Sequence, residues 1–95
     1  MDEFFNAIAE INRRMDLSSD RQTAKVLGIS SNSMSWFRNG KTFPSDKTVM
    51  TVAELSDWDA GVLLASVHAS RNAGEASAAT WLQIRETLRS QQLTA

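Results

Sequence analysis

The sequence predicts an all-α protein, with a five-helix domain over residues 1–73 and a C-terminal helix within residues 74–95. Apolar residues recur at three- and four-residue intervals in successive segments, the mark of helices that bury one face. Cap-forming Ser or Asp residues precede most of these segments, and Gly or Asn residues follow several of them. No segment alternates polar and apolar residues with period two, as a half-buried strand would. At 95 residues, with 42% hydrophobic and 22% charged residues, the composition is that of one globular domain rather than a disordered chain.

The first helix covers Asp2 to Met15, where Phe4, Ile8, Ile11 and Met15 form one stripe. Acids at its start and Arg13-Arg14 at its end agree with the helix dipole. Ser19, with Gln22 three positions later, has the form of a capping box for a short helix from Asp20 to Leu27. Gly28 ends that helix, and Ser30 caps the next, Ser31 to about Asn39. Asn39-Gly40 opens the loop Lys41-Thr42-Phe43-Pro44. Ser45 or Asp46 then caps a fourth helix to about Ser56 that buries Val49, Val52 and Ala53. Asp59 caps a fifth, Ala60 to Arg71, with Val62, Leu63 and Val67 on its apolar side. A last helix, about Glu75 to Arg89, aligns Ala78, Trp81, either Ile84 or Arg85, and Leu88. The tail from Gln91 to Ala95 has nothing to bury and is expected to fray.

Cys is absent, which excludes disulfides and thiolate metal sites and agrees with a reducing compartment. The longest apolar run is Ala60 to Ala65, far short of a membrane span, and the first residues are acidic where a secretory signal would be basic. A cytoplasmic protein with no membrane contact is expected. The net charge of −1 is unevenly placed. Residues 1–10 hold three acids and no base, and residues 51–95 hold five acids against three bases. Residues 11–50 hold seven bases (Arg13, Arg14, Arg21, Lys25, Arg38, Lys41, Lys47) against three acids. A polyanion responds to the local field of a few neighbouring cations, because screening limits their reach to about 8–10 Å.

The stretch Asp20 to Gly40 meets several linked demands of a helix-turn-helix. A small residue, Ala24, stands where the second helix must cross the first closely. Gly28, four positions later, can take the positive φ of the turn, and Ile29 can fill the angle between the helices. Met34 and Phe37, three apart, can be buried while the opposite face stays open to a DNA groove.

With its spacing A-x3-G-I-S-x3-M-x2-F-x2-G, the stretch resembles the phage-repressor and Cro-type (lambda-repressor-like) helix-turn-helix family. The looser match extends over about residues 4–70. The segment L-S-D-W-D-A-G-V-L-L-A-S-V-H-A-S-R and the later Trp81 look like those of small phage-associated regulators. The resemblance implies a sequence-specific transcriptional repressor that binds double-stranded DNA as a homodimer. Carried over by position, the base-reading residues are Ser31, Asn32, Ser35 and Trp36. Asn32 can match adenine N6 and N7, and Trp36 can touch thymine methyls or else fold back over Phe43. Phosphate contacts are implied for Arg21, Arg38, Asn39, Lys41 and Thr42. Arg13, Arg14, Lys25 and Lys47 fit either phosphate contact or plain surface solvation. A dimer surface is expected where the fifth and last helices meet, through Leu64, Trp81 and Leu88. Family members often open both motif helices with Gln, where this chain has Asp20 and Ser31, so no operator is implied.

Nothing else in the chain points to catalysis, a cofactor or a metal. His68 is the only His, so a zinc site would need carboxylates alone beside it. Helix capping accounts for Asp57 and Asp59, and no Ser lies in a nucleophile elbow. The four Gly, at 28, 40, 61 and 74, are too scattered for a phosphate loop. Two other readings share this pattern: an antitoxin or adaptor that engages a protein through the C-terminal helix, and an excisionase-like architectural DNA binder. An exposed Trp81 face in the isolated chain would favour the adaptor, and a packed one the regulator.

Overall fold

The inner helices begin where a side chain can satisfy amides that the first turn leaves open, whereas the first helix follows Met1 with no side-chain cap. In the computed structural model, which describes residues 1–94 and side chains through residue 92, there are six helices and, among the described residues, no strand. They are α1 (Asp2–Met15), α2 (Asp20–Leu27), α3 (Ser31–Arg38), α4 (Asp46–Ser56), α5 (Ala60–Arg71) and α6 (Ala76–Thr94). Ser19, Ser30, Ser45 and Asp59 cap α2 to α5, each accepting from the amide three residues on. In the expected capping box, the Gln22 side chain turns instead to the Ser18 amide, at 2.7 Å.

α1 packs against α4 and α5, α2 touches α1 and α4, α3 is carried on α2, and α6 runs along α5. The core gathers Phe4, Ile8 and Ile11 of α1, Ala24 and Leu27 of α2, and Met34 and Phe37 of α3. Val49, Val52, Leu63 and Val67 close it from α4 and α5. Met15, expected at the end of the α1 stripe, is exposed, and Leu17, just past the left-handed Asp16, packs against the core. Ala7 extends the buried stripe instead. No helix is long and apolar enough to cross a membrane, among the described residues.

α2 and α3 are joined through Gly28, which has φ 72° and ψ 27°. The Ile29 amide donates to the Ala24 carbonyl at 3.0 Å, closing the end of α2. A Cβ added at Gly28 would meet nothing within 4 Å, so a larger residue there strains only the backbone. Gly28→Val is expected to cost about 1–3 kcal/mol and to lower the melting temperature. Thermal unfolding followed by circular dichroism checks this, and an unchanged melt would contradict the tight turn.

α6 differs most from expectation. It continues past Arg89 to Thr94, so residues 91–94 of the expected frayed tail are helical, and Ala95 lies outside the described residues. No Gly or Pro after Arg89 interrupts the backbone ladder. The side of α6 turned to the body holds Trp81, Arg85 and Leu88, while Leu82 and Ile84 are exposed. Between Ile84 and Arg85, the inward place goes to Arg85, because the buried Glu3 carboxylate demands a cation. Glu3 accepts from Ser66 Oγ at 2.9 Å, pairs with Arg85 at 3.3 Å, and is bonded by Arg89. Gly61 lets α6 come close: a Cβ there would lie 2.7 Å from Leu88 Cδ1.

Candidate nucleic-acid interface

α3 divides its residues cleanly. Met34 and Phe37 are buried, and the Phe37 ring meets Phe4 of α1 edge-on at 6.2 Å between centroids. Ser31, Asn32, Ser35 and Trp36 are all exposed, and at i, i+1, i+4 and i+5 they share the opposite face. All four sequence-predicted base readers thus fall together on the outer side of α3. Trp36 is 43% exposed, whereas Phe43 packs at the edge of the core. α3 contains no acid, so nothing on its own length repels a polyanion.

The N-terminus of α3 is organised by Ser30, whose Oγ accepts from the Ser33 amide at 3.1 Å and lies 2.9 Å from Ser33 Oγ. The first amides of the helix point outward beyond this cap, where backbone donors and the helix dipole favour an anion. At the other end, the Lys41 amide donates to the Trp36 carbonyl at 2.9 Å, folding the loop back on α3. Arg71 Nη2 donates to the Pro44 carbonyl at 2.7 Å and anchors the far side of that loop. Lys41, Thr42 and Asn39 are therefore exposed on a braced loop immediately beyond α3.

The structure separates the expected phosphate-contacting cations into two groups. Arg21 and Lys41, with Lys25, are exposed and make no ion pair among the described residues. Arg38 is engaged within the fold. Its guanidinium donates to Asp20 through Nε at 2.7 Å and Nη2 at 2.9 Å, and it lies 5.0 Å from the Phe5 ring centroid. The hydrogen bonds from Arg38 hold the Asp20 carboxyl below the usual carboxylate range, and those to Asp20 raise the guanidinium. The pair fastens the end of α3 to the start of α2, so Arg38 and Asp20 fix how α3 is held on α2. Opposite charges at the two ends of the motif were the available signal for this pair. For the Arg71 strut there was none, because it depends on how α5 passes the loop. Arg13 and Arg14 both bind Glu10 of α1, whose carboxyl is pulled down to about 2 by their hydrogen bonds.

Leu64, Trp81 and Leu88, expected at a dimer surface, are each half-buried against other parts of the same chain. Leu64 packs on the core, and Trp81 stacks on His68 at 4.6 Å between centroids with 22° between planes. Leu88 sits over Gly61. His68 in turn reaches Asp46 at the start of α4, with Nε2 3.0 Å from Oδ1. Comparison with family models, with curated proteins and with solved structures finds no match to this chain.

Proposed function

We propose that this protein is a sequence-specific DNA-binding regulator, a transcriptional repressor of lambda-repressor-like helix-turn-helix type, that lays α3 in the major groove as a two-fold dimer. The observation that carries this reading is the outer face of α3. Four exposed residues with hydrogen-bonding or stacking groups (Ser31, Asn32, Ser35, Trp36) stand on an acid-free helix, with Arg21 and Lys25 exposed on α2 and Lys41 exposed in the loop beyond it. Short polar side chains let the helix backbone approach base edges, and the exposed cations of α2 and the loop answer phosphates. Packing of Trp81 against His68 also supports the regulator over the adaptor, since α6 does not leave that indole waiting for another protein. The adaptor reading retains one observation in its favour, the exposed Leu82 and Ile84 of α6.

Asn32 and Lys41 test the reading together. Footprinting on the DNA upstream of its own coding sequence, or selection from random duplexes, supplies a site. Asn32→Ala is expected to lose roughly 1–3 kcal/mol on that site and to relax preference at one base pair. Lys41→Ala is expected to weaken specific and random DNA alike and to reduce the salt slope by about one counterion. Titrations at several salt concentrations measure both. Equal losses on specific and random DNA for Asn32→Ala would remove α3 from the groove.

A further inference from the structure

A two-fold dimer needs a surface, and Leu64, Trp81 and Leu88 already pack within one subunit. The outer side of α4 offers one. Lys47, Met50 and Glu54 lie there at i, i+3 and i+7, in a line about 10 Å long. Met50 is 48% exposed, which places an unbranched apolar side chain in water at the middle of the line. Half-buried Trp58, at the corner into α5, forms a wall of the groove that Lys47, Met50 and Glu54 line. Neither Lys47 nor Glu54 makes an ion pair among the described residues.

We propose that this face pairs with its counterpart on a second copy of the chain across a two-fold axis, with the two α4 helices antiparallel. The argument is the order of charge along the helix. A strip that is positive at one end, apolar in the middle and negative at the other is complementary to itself when reversed. Pairing centred between Met50 and Thr51 sets Lys47 of each copy opposite Glu54 of the other, because both lie equally far from that centre. The two Met50 side chains then meet beside the axis, with Trp58 of each copy closing the groove at its ends. Methionine suits such a contact, since its flexible thioether fills an irregular gap. An unlike partner would need no such symmetry in the strip. The use of this dimer on DNA rests on the function proposed above, but the dimer itself does not.

Sedimentation equilibrium without DNA, on wild type, Lys47→Glu, Glu54→Lys and the double variant, tests the proposal. Both single changes agree with the dipole of α4, an acid near its start and a base near its end, so the fold survives them, as circular dichroism can verify. Each single change sets like charges together twice and is expected to raise the dimer dissociation constant by roughly tenfold or more. The double variant restores both pairs with reversed sign and is expected to return to within about threefold of wild type. The proposal is overturned by a monomeric wild type at about 100 µM, by single variants that dimerise like wild type, or by a double variant that stays dissociated. It also falls if Ile84→Asp on α6 dissociates the dimer while Lys47→Glu does not. A dimer that behaves as expected but ignores DNA would instead remove the regulator reading and leave this surface standing.

Discussion

Phe37→Ala is expected to lower the free energy of unfolding by about 3–4 kcal/mol, whereas Trp36→Ala, one residue earlier, is expected to lower it by no more than about 1 kcal/mol. Phe37 is 7% exposed and meets Phe4 edge-on at 6.2 Å, so its removal opens a cavity between α3 and α1. Trp36, on the other side of the same turn, is 43% exposed and outside the core, so its loss opens no core cavity. Their consequences for DNA are expected to run the other way. On the function proposed here, Trp36→Ala is expected to lose DNA affinity while the protein stays folded, and Phe37→Ala only in proportion to its unfolded fraction. Urea denaturation of both variants, read beside a DNA titration, checks the contrast. Equal destabilisation by the two would mean that α3 is rotated from the orientation described.

Glu3→Ala is expected to cost about 1–2 kcal/mol at neutral pH, by taking from Arg85 and Arg89 the carboxylate that ties them to α1 while both keep their pairs with Glu86 on α6. The figure lies below that for a broken buried pair because Glu86 still pairs both guanidiniums and the Arg89 side chain is 41% exposed. Burial pushes the Glu3 carboxyl up, but hydrogen bonds from Ser66, its own amide and Arg89, with the charge of Arg85, outweigh burial and hold it below 4.5. A lowered folded-state value means that the ionised form stabilises the fold. That contribution is complete above the unfolded value and disappears as pH falls through the folded one. Wild type is therefore expected to lose stability on acidification below about pH 4.5, and Glu3→Gln to show a shallower acid limb. Melting curves between neutral pH and pH 2 measure this, and identical acid limbs would show that Glu3 gains nothing from its partners.

Features decided within one turn of helix were legible in the sequence. Ser19, Ser30, Ser45 and Asp59 each cap a helix because the amide they serve lies three residues away in the same chain segment. The exposed quartet on α3 was legible for a similar reason. Burying Met34 and Phe37 on a 3.6-residue period leaves Ser31, Asn32, Ser35 and Trp36 no other side. What escaped were contacts set by how helices cross. Arg38 had the spacing of a phosphate ligand, but Asp20 reaches it across the angle between α2 and α3. The choice of Arg85 over Ile84 hung on a buried carboxylate from the first turn of the chain, and nothing local announces that meeting. Trp81 and Leu88 are apolar enough for a dimer surface, and only the close approach permitted by Gly61 and the flat face of His68 turned them inward.

The two-faced character of α3 has an evolutionary consequence. Met34 and Phe37 hold the helix to the fold, and neither shares a task with the residues that look outward. Ser31, Asn32 and Ser35 are small, exposed and uninvolved in the core, so exchanging them disturbs no packing. Drift at these positions is therefore close to neutral for folding, and on the function proposed here a lineage would explore new target preferences in single steps without first accumulating compensating stabilisers. Arg38, Asp20 and Gly28 have no such freedom, because they hold the frame on which those outward residues are displayed. Divergence should concentrate on the outer side of one short helix while its mounting stays still.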